Sequence, residues 1–167
     1  DFYLGPYLSE QSRQKYAELI QRHFSGALVA DPVQPETPQT GISIAELVLV
    51  YLQFADAFYV KNGGPTKEPG LIRMAVRPLV RLFGASPAVD FGPLALKAVR
   101  EEMIAAGWVR KTVNESVNRI RRMFKHGVEN ELVPAGALVR LQAVAPLKAG
   151  KSAAPDRPKR RAVPQDQ

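Results

Sequence analysis

The sequence predicts a mainly α protein: a bundle of four to five helices, preceded by a short strand and helix and followed by a disordered basic tail. Three observations carry this. Apolar residues recur at steps of three and four in five stretches between residues 42 and 147, the period of a helix with one buried face. Helix starts and stops stand at the ends of those stretches, written in Ser, Pro and Gly. At 167 residues and 46% hydrophobic, the chain holds enough apolar material for one ordinary domain with attached small elements.

Taken in order, residues 1–4 read as a strand broken by Gly5-Pro6, and Ser9 caps a helix whose Tyr16, Leu19, Ile20 and Phe24 share a face before Gly26 ends it. Pro32, Pro35 and Pro38 make 28–41 an extended linker. Ser43 and Glu46 form a capping box, and the helix after them turns Leu47, Val50, Tyr51, Phe54 and Phe58 inward. Residues 61–65 are a loop, with turn signals at nearly every position. The next helix, 68–84, buries Leu71, Ile72, Ala75, Leu79 and Leu82, with a kink expected at Pro78. Pro93 opens a third, with Leu96, Val99, Met103 and Ile104 apolar and Gly107 as its stop. A basic helix covers 109–130, and a short apolar one follows Pro134. The expected organisation is a small N-terminal element (1–27), a linker (28–41), a helical domain (42–147) and a basic tail (148–167).

Charge is placed rather than spread. The chain carries net +7 with a pI near 9.9, which favours a polyanionic partner, nucleic acid ahead of an anionic membrane. Between residues 108 and 128, Arg110, Lys111, Arg119, Arg121, Arg122 and Lys125 face a single acid, Glu115. At helical spacing Val113, Val117, Ile120, Phe124 and Val128 form one stripe, and Lys111, Asn114, Asn118, Arg122 and Lys125 another. An apolar stripe backed by Arg, Lys and Asn suits a helix docked on phosphates, whereas a merely solvated helix mixes Glu with Lys. The expectation is therefore one outward ridge of cations. Arg73, Arg77 and Arg81 form a second basic stripe, and the tail adds Lys148, Lys151, Arg157, Lys159, Arg160 and Arg161 against Asp156 and Asp166.

Several chemistries find no footing. The absence of cysteine excludes disulfides, thiolate zinc sites and thiol catalysis. His23 and His126 stand apart from any carboxylate cluster at metal-ligand spacing. Gly63-Gly64 lacks the Lys-Ser/Thr of a phosphate loop, and neighbouring Glu101 and Glu102 point about 100° apart on a helix. No catalytic constellation, metal site or cofactor site can be assembled.

The motifs DFYLGPY, S-x-x-S-R-x-x-Y-x-x-L-I, I-x-E-L-x-x-x-Y, FGPLALKAVREEMIAAGW and V-N-x-x-x-N-R-I-R-R-M-F-K-H-G-V-E-N-E-L-V-P resemble the N-terminal part of phage-type integrases, which are tyrosine recombinases, and within them a branch common in planctomycete genomes. The resemblance implies that 42–147 is a core-binding domain of SAM-like fold and that 1–27 is the remnant of an arm-type DNA-binding element. It implies DNA contacts by Lys111, Thr112, Asn114, Asn118, Arg119 and Arg122, more weakly by Arg110, Arg121 and Lys125, and by the helix of Arg73 and Arg77. The partner would be double-stranded DNA carrying further integrase protomers, in the bacterial cytoplasm at the nucleoid, with no membrane and no small-molecule substrate.

The family's catalytic arginines, lysine, His-x-x-Arg and late tyrosine have no counterparts here: His126 continues as Gly-Val-Glu, and all five tyrosines precede residue 60. Strand cleavage by this chain alone is not expected. The alternatives are a truncated integrase acting as competitor or accessory factor, and a helical protein-interaction domain without nucleic acid.

Overall fold

The computed structural model describes residues 41–158, which all lie within one compact unit; the readings for 1–27, for the linker up to residue 40 and for the tail beyond 158 fall outside them. Helix α1 (Ile44–Phe58) begins at the expected capping box: the Ser43 hydroxyl accepts from the Glu46 amide, and the Glu46 carboxylate accepts from the Ser43 amide. Two more N-terminal amides, Ile44 and Ala45, donate to the carbonyls of Ser86 and Gly84 at 2.9 Å, so the loop after the second helix finishes the cap. Phe58, expected inward, is 63% exposed, while Ile44, Val48 and Ala55 join Leu47 and Tyr51 in the core.

After α1 the chain makes a small antiparallel hairpin, β1 (Val60–Lys61) and β2 (Gly64–Pro65). Asn62 and Gly63 both take positive φ (51° and 76°), the geometry of a tight two-residue turn, so the expected loop has a regular form. Helix α2 (Glu68–Phe83) runs on through the buried Pro78 without interruption. Leu71 and Leu82 lie at its exposed edge; Pro69, Val76 and Phe83 are buried instead.

A 3-10 turn (Ala88–Asp90) leads to α3 (Pro93–Ala105), with proline at its start as expected. Gly107, at φ 81°, closes α3: its amide donates to Ile104 and the Trp108 amide to Met103. Helix α4 (Arg110–Glu129) and helix α5 (Ala135–Gln142) complete the bundle. The mainly helical architecture is thus the one expected, five helices among the described residues.

Helix α4 is central, touching each of the other four helices. Its Val113, Val117, Ile120, Met123 and Phe124 are buried. Phe124 stacks on Phe91 with centroids 5.4 Å apart, and Phe91 meets Phe83 edge-on at 5.5 Å. Where α1 crosses α4, Gly127 leaves the space that Leu47 and Val133 fill: a Cβ there would come within 2.9 Å of Leu47 Cδ1 and 3.0 Å of Val133 Cγ2.

The boundary at residue 147 moves. Residues 148–158 lie back against the start of α4, where the Arg110 amide donates to the Pro155 carbonyl at 2.9 Å and Ala154 is buried.

Candidate nucleic-acid interface

A helix that every other helix packs against cannot turn all its cations outward, and α4 does not. Arg119 is only 8% exposed and makes a bidentate pair with Glu68 at the start of α2 (Nε–Oε1 3.0 Å, Nη2–Oε2 3.1 Å). Arg122 reaches the same carboxylate at 2.5 Å, with the Tyr59 hydroxyl 3.5 Å away. Burial alone would raise the Glu68 carboxyl; the two guanidinium groups outweigh it and hold the carboxyl below its ordinary range. For Arg122 burial works downward, and the Glu68 hydrogen bond reverses it, leaving the guanidinium above its usual value.

Arg121 donates to the carbonyls of Leu141 and Val144 and to Asn118 Oδ1, so it closes the C-terminal end of α5. Burial, and then the neighbouring Arg100, lower its guanidinium. Arg100 is itself buried, donating to Ala145 at 3.0 Å. Asn114 grips Leu147 through both main-chain groups, donating to its carbonyl at 3.0 Å and accepting from its amide at 2.9 Å. Arg110 pairs with Asp156 at 2.6 Å.

The expected single ridge of cations is therefore corrected. Arg110, Asn114, Arg119 and Arg121 hold the fold together, and Arg122 is shared between Glu68 and solvent. The stripe of α4 that does face solvent consists of Lys111, Glu115, Asn118, Arg122, Lys125 and Glu129. It interleaves acids: Lys111 lies 3.9 Å from Glu115, and Lys125 lies 3.6 Å from Glu129. Thr112 is half-buried beside it.

On α2, Arg73 pairs with Asp56 and Arg81 with Glu102. Arg77 is exposed and has no ion pair among the described residues. It lines a groove with Met74, Pro78, Arg81, Glu102 and Trp108. Two residues beyond Trp108, α4 begins and the 148–158 segment is bonded to it. Near the start of α4, Arg77 and Arg81 line the groove, Arg110 and Lys111 open the helix, and the segment bonded to it carries Lys148, Lys151 and Arg157; the carboxylates paired there are Glu102, Glu115 and Asp156. This cluster draws on α2, the turn before α4 and the C-terminal segment, so no one stretch of sequence announces it.

Also missed were Glu68, which neutralises the middle of α4, and Trp108 as the wall of the groove. Glu129 carried a usable signal: it stands four residues after Lys125, directly after the acid-poor stretch 108–128.

Among the described residues no group of three His, Asp or Glu side chains could hold a metal ion, and no helix is long and apolar enough to cross a membrane. Compared with protein-family models, with curated proteins and with solved structures, the chain matches none.

Proposed function

We propose that this domain binds duplex DNA, as the core-binding module of a site-specific recombinase of the tyrosine class, and that it grips phosphates at the start of α4 rather than along its length. The observation that carries the reading is the imbalance left after internal pairing. Residues 41–158 hold seventeen Lys and Arg against ten Asp and Glu. Six of those carboxylates are taken up by seven of the cations in ion pairs. Lys148, Lys151, Arg157 and Arg77 are among the cations left without a carboxylate; the first three lie on the segment bonded to the start of α4, and Arg77 lines the groove that Trp108 walls.

Such contacts set position on the duplex, with sequence read by other means. The recombinase assignment rests on the motif resemblance, and strand cleavage is left to residues that this sequence does not supply. The competitor or accessory role uses the same surface and the same binding chemistry.

The test is fluorescence anisotropy of the full chain with a labelled duplex. Lys111→Glu with Lys151→Glu should weaken binding at least about tenfold and flatten its salt dependence by about two charges. An unchanged affinity in the double variant would remove the start of α4 from the interface.

A second reading, a protein-interaction domain, is supported by the open apolar side chains Leu94 and Val139. It expects charge reversal at Lys111 and Lys151 to leave DNA association at background.

A further inference from the structure

Roughly four turns along α4 from that cluster, at the other end of the helix, lies an aromatic stack that the duplex reading does not use. Phe54 stands between two rings that lie nearly parallel to it: His126 at 4.3 Å and 26°, and Phe58 at 5.0 Å and 22°. Tyr59 meets Phe58 edge-on at 5.1 Å. The inner end of the stack is anchored, since Tyr51 is buried and contacts both Phe54 and His126. Its outer end is not covered: Phe58 is exposed, and Val60 beyond it is exposed too.

An exposed phenylalanine on the last turn of a helix is a poor solution for solubility alone. Here Phe54 backs one face of the ring and Tyr59 meets it edge-on, which restricts the orientations it can take. Cations border it. Arg122 touches Tyr59, Lys125 precedes His126, Lys61 lies in the hairpin that follows, and Lys67 comes just after it. The acids nearby are Asp56, Glu68 and Glu129, each already in an ion pair. Including Arg73 and Arg119, six cations stand against three carboxylates, a balance that suits a polyanion.

An open aromatic face bordered by surplus cations fits a flat ring followed by a phosphate. We propose that Phe58 is the stacking platform for an unpaired base of single-stranded DNA, with Lys61 and Lys125 on the adjoining phosphates. The proposal rests on the DNA-binding reading but places unpaired DNA on a different part of the surface from the duplex. A duplex keeps its bases inside and offers Phe58 nothing to stack on, so the two activities separate in experiment.

The test uses the full chain, a fluorescein-labelled oligothymidylate of about 20 nucleotides and a duplex of the same length, a length that covers more than one site of this kind. Phe58→Ala should lower affinity for the single strand by roughly tenfold, the scale of one lost base–aromatic stack, and leave duplex affinity unchanged; Phe58→Trp should restore it. Because the ring is mostly exposed, the Ala variant should stay folded and unfold within a few degrees of the wild type, which circular dichroism checks. Equal single-strand binding by wild type and Phe58→Ala would overturn the platform. Duplex binding without any single-strand binding would overturn it and leave the duplex reading standing; binding to neither would overturn both. Concentration-dependent self-association that disappears in Phe58→Ala, with oligonucleotide binding unaffected, would reassign the face to protein contact and equally overturn the proposal.

Discussion

Glu68 and Arg119, fifty-one residues apart, form a two-pronged hydrogen-bonded ion pair that ties the first turn of α2 to the middle of α4. Arg119 is nearly buried, so its removal empties the space its side chain fills and leaves the Glu68 carboxylate with Arg122 and solvent alone. Arg119→Ala should cost about 2–4 kcal/mol, toward the lower end because Glu68 keeps some solvent contact. Arg122→Ala, at a half-exposed site on the same carboxylate, should cost about 1 kcal/mol or less. Urea denaturation of the two variants side by side measures the difference.

The same pair gives the fold a dependence on acid. The folded-state value of Glu68 lies below the ordinary 4.5, so its contribution is complete above that value and is lost as pH falls through the lower, folded one. Glu46, held down by hydrogen bonds from Ser43, acts in the same direction. The urea midpoint should be flat from about pH 8 to 5 and fall below that, and Glu68→Gln should show a shallower fall. A midpoint in Glu68→Gln that drops as steeply as in the wild type would contradict the assignment.

Glu131 is a non-glycine residue in the left-handed region, with φ 56°. It occupies the position just past α4 where the Glu131 amide donates to Val128 and the Leu132 amide to Gly127, a closing motif that favours glycine. Glu131→Gly should therefore stabilise the domain by about 0.5–1 kcal/mol, read as a melting temperature higher by a few degrees. A lower melting temperature would mean that the Glu131 side chain contributes more than its backbone strain costs.

Asn114 should act as a clamp on the chain leaving the bundle. Asn114→Ala removes both of its bonds to Leu147 and should cost about 1–2 kcal/mol, with faster hydrogen exchange at the Leu147 amide. Unaltered exchange there would show that the 148–158 segment is held by Arg110 and Ala154 alone.

What was legible in the sequence is what local chemistry decides. The capping box at Ser43 and Glu46, the proline at the start of α3 and Gly107 at its end all act within a few residues, and all are found where they were expected. The buried stripe of α4 is correct as far as Phe124, because period alone defines it. Which polar residues of α4 face water was not legible, since that depends on how many helices surround it. A helix with one partner shows its whole polar face; α4 has four, so Arg119 and Arg121 were drawn in toward Glu68 and toward the carbonyls ending α5. Phe58 failed in the opposite sense: it continues the stripe of Tyr51 and Phe54, but α1 ends there and no helix lies beyond to cover it. The long-range partners, Glu68 for Arg119 and Leu147 for Asn114, leave no local trace.

The central claim, that the surplus cations of this domain neutralise DNA phosphates, is met most directly by the salt dependence of duplex binding. With roughly six phosphates neutralised, the dissociation constant of the full chain on a labelled duplex should rise on the order of a thousandfold between about 50 and 200 mM salt. Association that ignores salt over that range, or none at about 50 mM, would contradict the claim.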